Sequence, residues 1–183
     1  MRFRNTLNLL SNSPRYSDLL DLIINNKPRV NLVVPDSAIS YCVAGLSKDL
    51  GRPILIIAAN PERARQIYDG LLFWSKSDTG IHLFPEGESV HYERLAPDES
   101  TIHERITTID AITDNSEARE TPIIITSIQA ISQATIPKEA FRKARHKLHI
   151  GQAIKMNTVV QYWVSIGYRV EGITETPGTV SRR

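Results

Sequence analysis

Four short runs dominated by apolar residues set the limits on what this chain can become: Asn31–Val34, Pro53–Ala58, Ile81–Phe84 and Pro122–Thr126. Each is too short for a helix that buries a face. None alternates with polar residues as a half-solvated strand would, so each reads as a strand buried on both sides. Between them lie stretches with helical periodicity. Asp36 or Ser37 would cap a helix running to about Leu50, with Gly51 as its stop. Asn60-Pro61 opens another, on which Ile67, Leu71 and Trp74 recur at helical spacing. A third starts near Pro97-Asp98 and carries Ile102, Ile106, Ile109 and Ile112 on or near one face. Ser127 would cap a short helix through Ile131. Apolar strands alternating with amphipathic helices predict an α/β fold, a parallel sheet with helices on both faces, over residues 1–137.

The pattern changes after Pro137. Ala144, His146, Leu148 and Ile150 alternate with Lys143, Arg145, Lys147 and His149, which predicts a strand with one cationic face. Gly151 breaks it. Met156, Val159, Val160, Trp163 and Val164 form an amphipathic helical stripe, with Trp163 in the core. Gly167 ends that helix, and Tyr168–Ile173 resumes as a strand. Thr176-Pro177-Gly178 signals a turn into a further strand whose pairing partner the chain would lack. Residues 138–183 therefore read as part of a small α+β domain, truncated at its C-terminal end.

Charge divides at the same boundary. From Lys138 onward nine Lys/Arg face three Asp/Glu, or +6, whereas residues 1–137 hold thirteen against seventeen, or −4. A single cysteine, Cys42, cannot form an internal disulfide and fits a reducing cytoplasm. No apolar run approaches the roughly 20 residues that span a bilayer, so no membrane partner is expected.

The loop after the first expected strand is where an α/β nucleotide-binding protein would cradle phosphate, with glycines and a lysine. Here it reads Val34-Pro35-Asp36-Ser37-Ala38-Ile39-Ser40. It has no glycine, Pro35 removes a donor, and Asp36 places a carboxylate where phosphate would sit. Pro35, Asp36 and Ser37 thus mark a degenerate loop, and neither nucleotide binding nor any other cofactor is expected. Other chemistry is equally sparse. His146-x-x-His149 would point to opposite faces of a strand and could not chelate one ion. Asp98, Glu99 and Glu104 read as partners of a helix dipole, and Cys42 as a small core residue. No nucleophile has a plausible base, so no catalytic residue is assigned and no enzyme activity is expected of residues 1–183.

The stretch F-P-E-G-E-S-V-H-Y-E-R-L-A-P-D-E-S-T-I-H-E-R, residues 84–105, resembles the transcription-repair coupling factor (Mfd) family, where a strand leads into a loop with Pro-Tyr-x-x-x-x-Pro and then a helix with an arginine after Glu or Ser. Residues 123–131 (IIITSIQAI) resemble the next family strand. Ile150-Gly151-Gln152 through Gly167-Tyr168-Arg169 to residues 181–183 resembles the start of that family's second domain. UvrB shares both domains but carries a long aromatic hairpin. The connection from Phe84 to Thr101, with Tyr92 as its one aromatic, has no room for it.

This resemblance implies a helicase-like first domain that has lost its nucleotide site, and a second domain that binds UvrA. By match to the family's Gly-Tyr-Arg, Arg169 would be an interface residue, with Ile173 as its apolar neighbour. Where the family can carry a further arginine after Gly-Gln, this chain has Ala153, and Arg145 or Lys147 would substitute. RNA polymerase, DNA and ATP would be engaged by the rest of a full-length, ATP-dependent DNA translocase. Two alternatives stand beside this: a UvrB-like damaged-DNA-binding helicase segment, or a nucleic-acid module built on Arg142, Lys143, Arg145, Lys147, Lys155, Arg169, Arg182 and Arg183.

Overall fold

The computed structural model describes residues 4–75, 80–87, 98–113 and 121–181. The Tyr92 connection, apart from its ends, and Arg182–Arg183 lie outside them. In chain order the elements are α1 (Pro14–Ile24), α2 (Ile39–Leu50), β1 (Ile54–Ala58), α3 (Pro61–Trp74), β2 (Ile81–Phe84), α4 (Glu99–Thr113), β3 (Ile123–Ser127), α5 (Ile128–Ser132), α6 (Lys138–Ala144), α7 (Met156–Ser165), β4 (Arg169–Glu171) and β5 (Thr179–Ser181). Short 3-10 turns precede α1 and α2.

Three of the apolar runs form the expected parallel sheet, in the order β1-β3-β2. Ile54 and Ile81 both register with Ile123. The central strand, β3, is the most buried, with Ile123, Ile125, Thr126 and Ser127 all inside. Ala58, Ile81 and Leu83 share their face and pack on Ala64, Ile67 and Leu71 of α3. Burying each of the larger side chains contributes roughly 1.5–3 kcal/mol. Local signals also act as read. Asn60 Oδ1 accepts from the Arg63 amide at 2.8 Å, and Ser127 Oγ accepts from the Ala130 amide at 3.1 Å. Gly51 ends α2 with φ +57°, a left-handed conformation that glycine adopts without penalty.

The fourth run departs from expectation. Asn31–Val34 is not a strand: no described strand pairs with it, and Val33 is 97% exposed. A short apolar run carries no period of its own, so its composition could not distinguish a sheet strand from an exposed coil. Helix α4 is also turned relative to its isoleucines. Its inward residue is Thr108, whose hydroxyl donates to Leu83 O at 2.9 Å and Glu104 O at 2.8 Å. Arg105 lies over the Phe84 ring at 4.1 Å and donates to Pro85 O at 2.6 Å. These bonds hold α4 against the end of β2 and leave Ile102, Ile106 and Ile112 exposed. The sheet face opposite α3 is consequently only part-covered, with Leu55 and Ile57 half exposed.

In the tail, residues 143–150 are not the expected strand. Residues 138–144 form α6, after which the chain is irregular. Helix signals outweigh the alternation. Glu139 sits in the first turn and Arg142 and Lys143 in the last, each matched to the helix dipole. Tyr162 Oη closes the C-terminus by donating to Ala144 O at 3.2 Å. Helix α7 and the Gly167 stop form as read, but of the expected core stripe only Val159 is buried; Trp163 is half-buried, and Met156 and Val164 are exposed. The strand after it is shorter than expected, Arg169–Glu171, and it does find a partner. β4 and β5 run parallel with Arg169 opposite Thr179, across a turn at Gly178.

Candidate docking site

The degenerate loop comes first, because it decides what the front unit offers a ligand. Asp36 and Ser37 lie in a 3-10 turn ahead of α2 and neither caps it; the N-cap position falls on Ala38, without a side-chain bond. The Asp36 carboxylate instead meets the Arg63 guanidinium at 2.6 Å. A cavity of about 260 Å³ adjoins them, lined by Asp36, Ser37, Ser40, Arg63, Gln66 and Gly70. That is below the roughly 300–1,000 Å³ usual for small-molecule sites. Its one nearby guanidinium already has an anionic partner. A larger cavity, about 390 Å³, lies at the other end of the sheet against Ile81, Ile123 and Trp74, away from the strand C-termini where open α/β sheets bind ligands.

The acidic residues at the start of α4 have structural partners. Asp98 accepts from the Ser100 hydroxyl and from the Ser100 amide at 3.2 Å. These bonds hold its carboxyl below the usual aspartate range. Glu104 pairs with both terminal nitrogens of Arg65, at 3.2 and 3.3 Å, tying α4 to α3. Cys42 is half-buried, and burial pushes its thiol up, away from the reactive thiolate. No group of His, Cys, Asp or Glu among the described residues could hold a metal ion. His146 and His149 lie on irregular chain, and His146 Nδ1 accepts from the Trp163 indole at 3.2 Å. No described helix is long and apolar enough to cross a membrane.

The expected docking residues all fall in the tail, in different surroundings. Arg169 opens β4, and its guanidinium, 61% exposed, pairs with Glu99. Ile173 follows the strand and is exposed. Strand alternation places Arg169 and Glu171 on one side and Tyr168 and Val170 on the other, and Tyr168 packs near Trp163 at 5.9 Å between ring centroids. Arg145 is different: its side chain is only 18% exposed and meets Asp110 at 2.6 Å. Lys147 is exposed. Sequence reasoning identified these cations but missed their partners. The signal was available: Glu99 and Asp110 are eleven residues apart, three helical turns, and therefore lie on one stripe of α4.

No family model matches the chain. The transcription-repair-coupling factor of Rickettsia prowazekii is 27% identical over 109 residues, covering 60% of this chain and 9% of that protein. That of Myxococcus xanthus is 22% identical over 152 residues, covering 80% of this chain and 12% of that protein. The UvrABC system protein B of Mycoplasma mobile is 23% identical over 168 residues, covering 87% of this chain and 25% of that protein. The chain thus spans about a tenth of the length of the coupling factors it matches. With a parallel α/β unit and a cationic tail in the expected order, this chain is similar to the transcription-repair-coupling factors and to UvrB, consistent with the N-terminal, UvrB-like region of the former.

Proposed function

We propose that this chain is a docking module for UvrA in transcription-coupled nucleotide excision repair. The observation that carries the reading is Arg169: an exposed guanidinium on a short strand, followed by exposed Ile173, in a segment of +6 net charge. A planar fork that can take a carboxylate in two places, beside an apolar contact, is the chemistry of a protein interface. Arg169 and Ile173 form the centre, Lys147 supports the rim, and Arg145 holds the tail in place. The front unit acts as a scaffold that neither binds nor hydrolyses nucleotide. Support for this comes from the Asp36–Arg63 pair, which sets an anion where phosphate would need free donors. In a full-length protein, ATP, DNA and RNA polymerase would be handled elsewhere in the chain.

The test is capture of this chain by purified UvrA. Arg169→Ala should cut capture about tenfold or more, as loss of an interface arginine typically costs 1–2 kcal/mol or above, while circular dichroism stays unchanged. Undiminished capture would remove Arg169 from the interface, and no capture of the parent chain would refute the reading.

A second reading, nucleic-acid binding, is favoured by the exposed cations Lys138, Arg142, Lys143 and Lys147 along α6 and the chain after it. Salt separates the two. Backbone contacts to DNA weaken steeply as salt rises, and an interface with an apolar centre weakens less.

A further inference from the structure

The side of β4 opposite Arg169 belongs to a row of aromatic rings. Strand alternation puts Tyr168 and Val170 there, and both are exposed, Tyr168 at 40%. The Tyr168 ring lies 5.9 Å from that of Trp163 and 31° from parallel to it. Trp163 in turn lies 6.1 Å from His146 and donates its indole N–H to His146 Nδ1 at 3.2 Å. His146 meets Tyr162 edge-on at 5.6 Å. Cations enter the row through the same contacts. Tyr162 Oη donates to Ala144 O at 3.2 Å, which holds the end of α6 against α7. Lys143 precedes Ala144, Lys147 follows His146, and both are exposed. Rings and lysines are thus interleaved on one surface of a segment with +6 net charge.

We propose that this surface binds single-stranded nucleic acid, with a base stacked on Tyr168 at the open end of the ring row and the phosphates drawn to Lys143 and Lys147. The proposal deepens the nucleic-acid reading of the tail and rests on it. It uses the side of β4 opposite Arg169, so it does not compete for the residue that the UvrA reading needs. Two features together select the ligand. A cationic face alone fits any polyanion, and an acidic peptide would satisfy the lysines while leaving the rings unmatched. An aromatic cluster that served only as core would be closed to solvent, yet His146 and Tyr168 are exposed. A strand of nucleotides presents negative charge and planar rings in alternation, which meets both. In a duplex the base faces are already stacked on one another, whereas a single strand offers them freely. Because every base has a π-face, such binding tolerates sequence.

The experiment uses the whole chain and a labelled thymidine oligomer of about twelve nucleotides, followed by fluorescence anisotropy at low salt. The comparison ligands are an abasic oligomer of the same length, which keeps the phosphates and lacks the bases, and a duplex of the same length. The thymidine oligomer should bind roughly tenfold more tightly than either, the gain expected from stacking one base. Tyr168→Leu keeps apolar bulk and removes the π-face, so it should erase that gain and leave the abasic affinity unchanged, whereas Tyr168→Phe should retain it. Lys143→Gln, at an exposed site, should weaken thymidine and abasic oligomers alike and reduce the salt slope by about 0.7, the value for one phosphate contact to a single strand. Equal affinity for the thymidine and abasic oligomers, or an unchanged preference in Tyr168→Leu, overturns the proposal and leaves a purely electrostatic nucleic-acid reading standing. No binding of any of the three at low salt overturns both. UvrA is absent from the assay, so neither result bears on UvrA capture.

Discussion

The approach of α2 to α3 depends on one missing methyl group. Gly70 of α3 faces Ser40 of α2, and a Cβ placed at Gly70 would sit 2.4 Å from Ser40 Oγ and 2.8 Å from Ser40 Cβ. Gly70→Ala therefore sets two effects of opposite sign against each other. Helix propensity favours alanine by about 0.8–1 kcal/mol. Against it, the Ser40 hydroxyl is buried and donates to Ile67 O at 3.2 Å. Rotating it away forfeits a bond worth about 0.5–1.5 kcal/mol. The Cβ contact can be relieved only by moving a helix, and such overpacking typically costs about 1–3 kcal/mol. The balance predicts net destabilisation of about 1–2 kcal/mol, read as a lower urea midpoint at unchanged denaturant slope. Adding Ser40→Gly removes both clashing atoms, so the double variant should be more stable than the sum of the singles by about 1 kcal/mol or more. If Gly70→Ala alone raises the midpoint, as an unobstructed helical glycine would, the close-packing argument is wrong.

Three further outcomes follow from single contacts. Arg145→Ala leaves the part-buried Asp110 carboxylate without this partner. It should destabilise the tail by about 1–2 kcal/mol, between exposed and buried ion pairs, and speed proteolysis after Pro137, whereas Arg169→Ala should do neither. Burial, and then the bond from its hydroxyl to Asp49 Oδ2 at 2.8 Å, push the Tyr16 phenol well above its ordinary value. Because the folded value is raised, the stabilisation is complete below about pH 10 and is lost as pH climbs through the folded value. Tyr16→Phe should flatten that alkaline slope in pH-dependent urea melts. His146 accepts the Trp163 indole N–H on Nδ1, so nitrogen NMR should find the Nδ1 resonance shifted by a hydrogen bond, and Trp163→Phe should move it to the position of an unbonded imidazole nitrogen.

What could be read from the chain was whatever local chemistry decides. Asn60 and Ser127 cap their helices because a side-chain oxygen at that position reaches an unpaired amide whatever lies beyond. Ile54–Ala58 and Ile123–Ser127 pair because runs of β-branched residues suit a strand buried on both sides. The failures fall where a tertiary partner decides. Asn31–Val34 has strand composition, but among the described residues no strand pairs with it. Residues 143–150 alternate like a strand, yet the dipole-matched charges of α6 and the pull of Asp110 on Arg145 claim the segment first. The four isoleucines of α4 gave its helical phase correctly but not its inward side, because Thr108 meets Leu83 O by a hydrogen bond that no hydropathy pattern encodes. The candidate site was half legible for the same reason. Its cations stand out in a basic tail, whereas Glu99 and Asp110 look like ordinary helix acids until the tail is folded back on them.

The two arginines that grip α4 differ in how far they have left water, and that difference assigns them different work. Arg145 and Asp110 are 18% and 24% exposed, so most of their hydration is already gone, and their attraction acts at an effective dielectric below that of water. Separating them restores hydration to both but abandons a pair that salt screens weakly. Arg169 and Glu99, at 61% and 41%, keep about half of their water, and such pairs contribute only about 0–1 kcal/mol. Arg169 can therefore leave Glu99 for an outside carboxylate at small cost, whereas Arg145 stays with α4. The Arg169 contact is correspondingly the more sensitive to salt. Asp110→Asn should accordingly cost about 1–2 kcal/mol in urea melts and Glu99→Gln about 0–1 kcal/mol, with the Glu99 effect fading first as salt rises. Equal losses of stability for the two substitutions would mean that the burial difference carries no energetic weight.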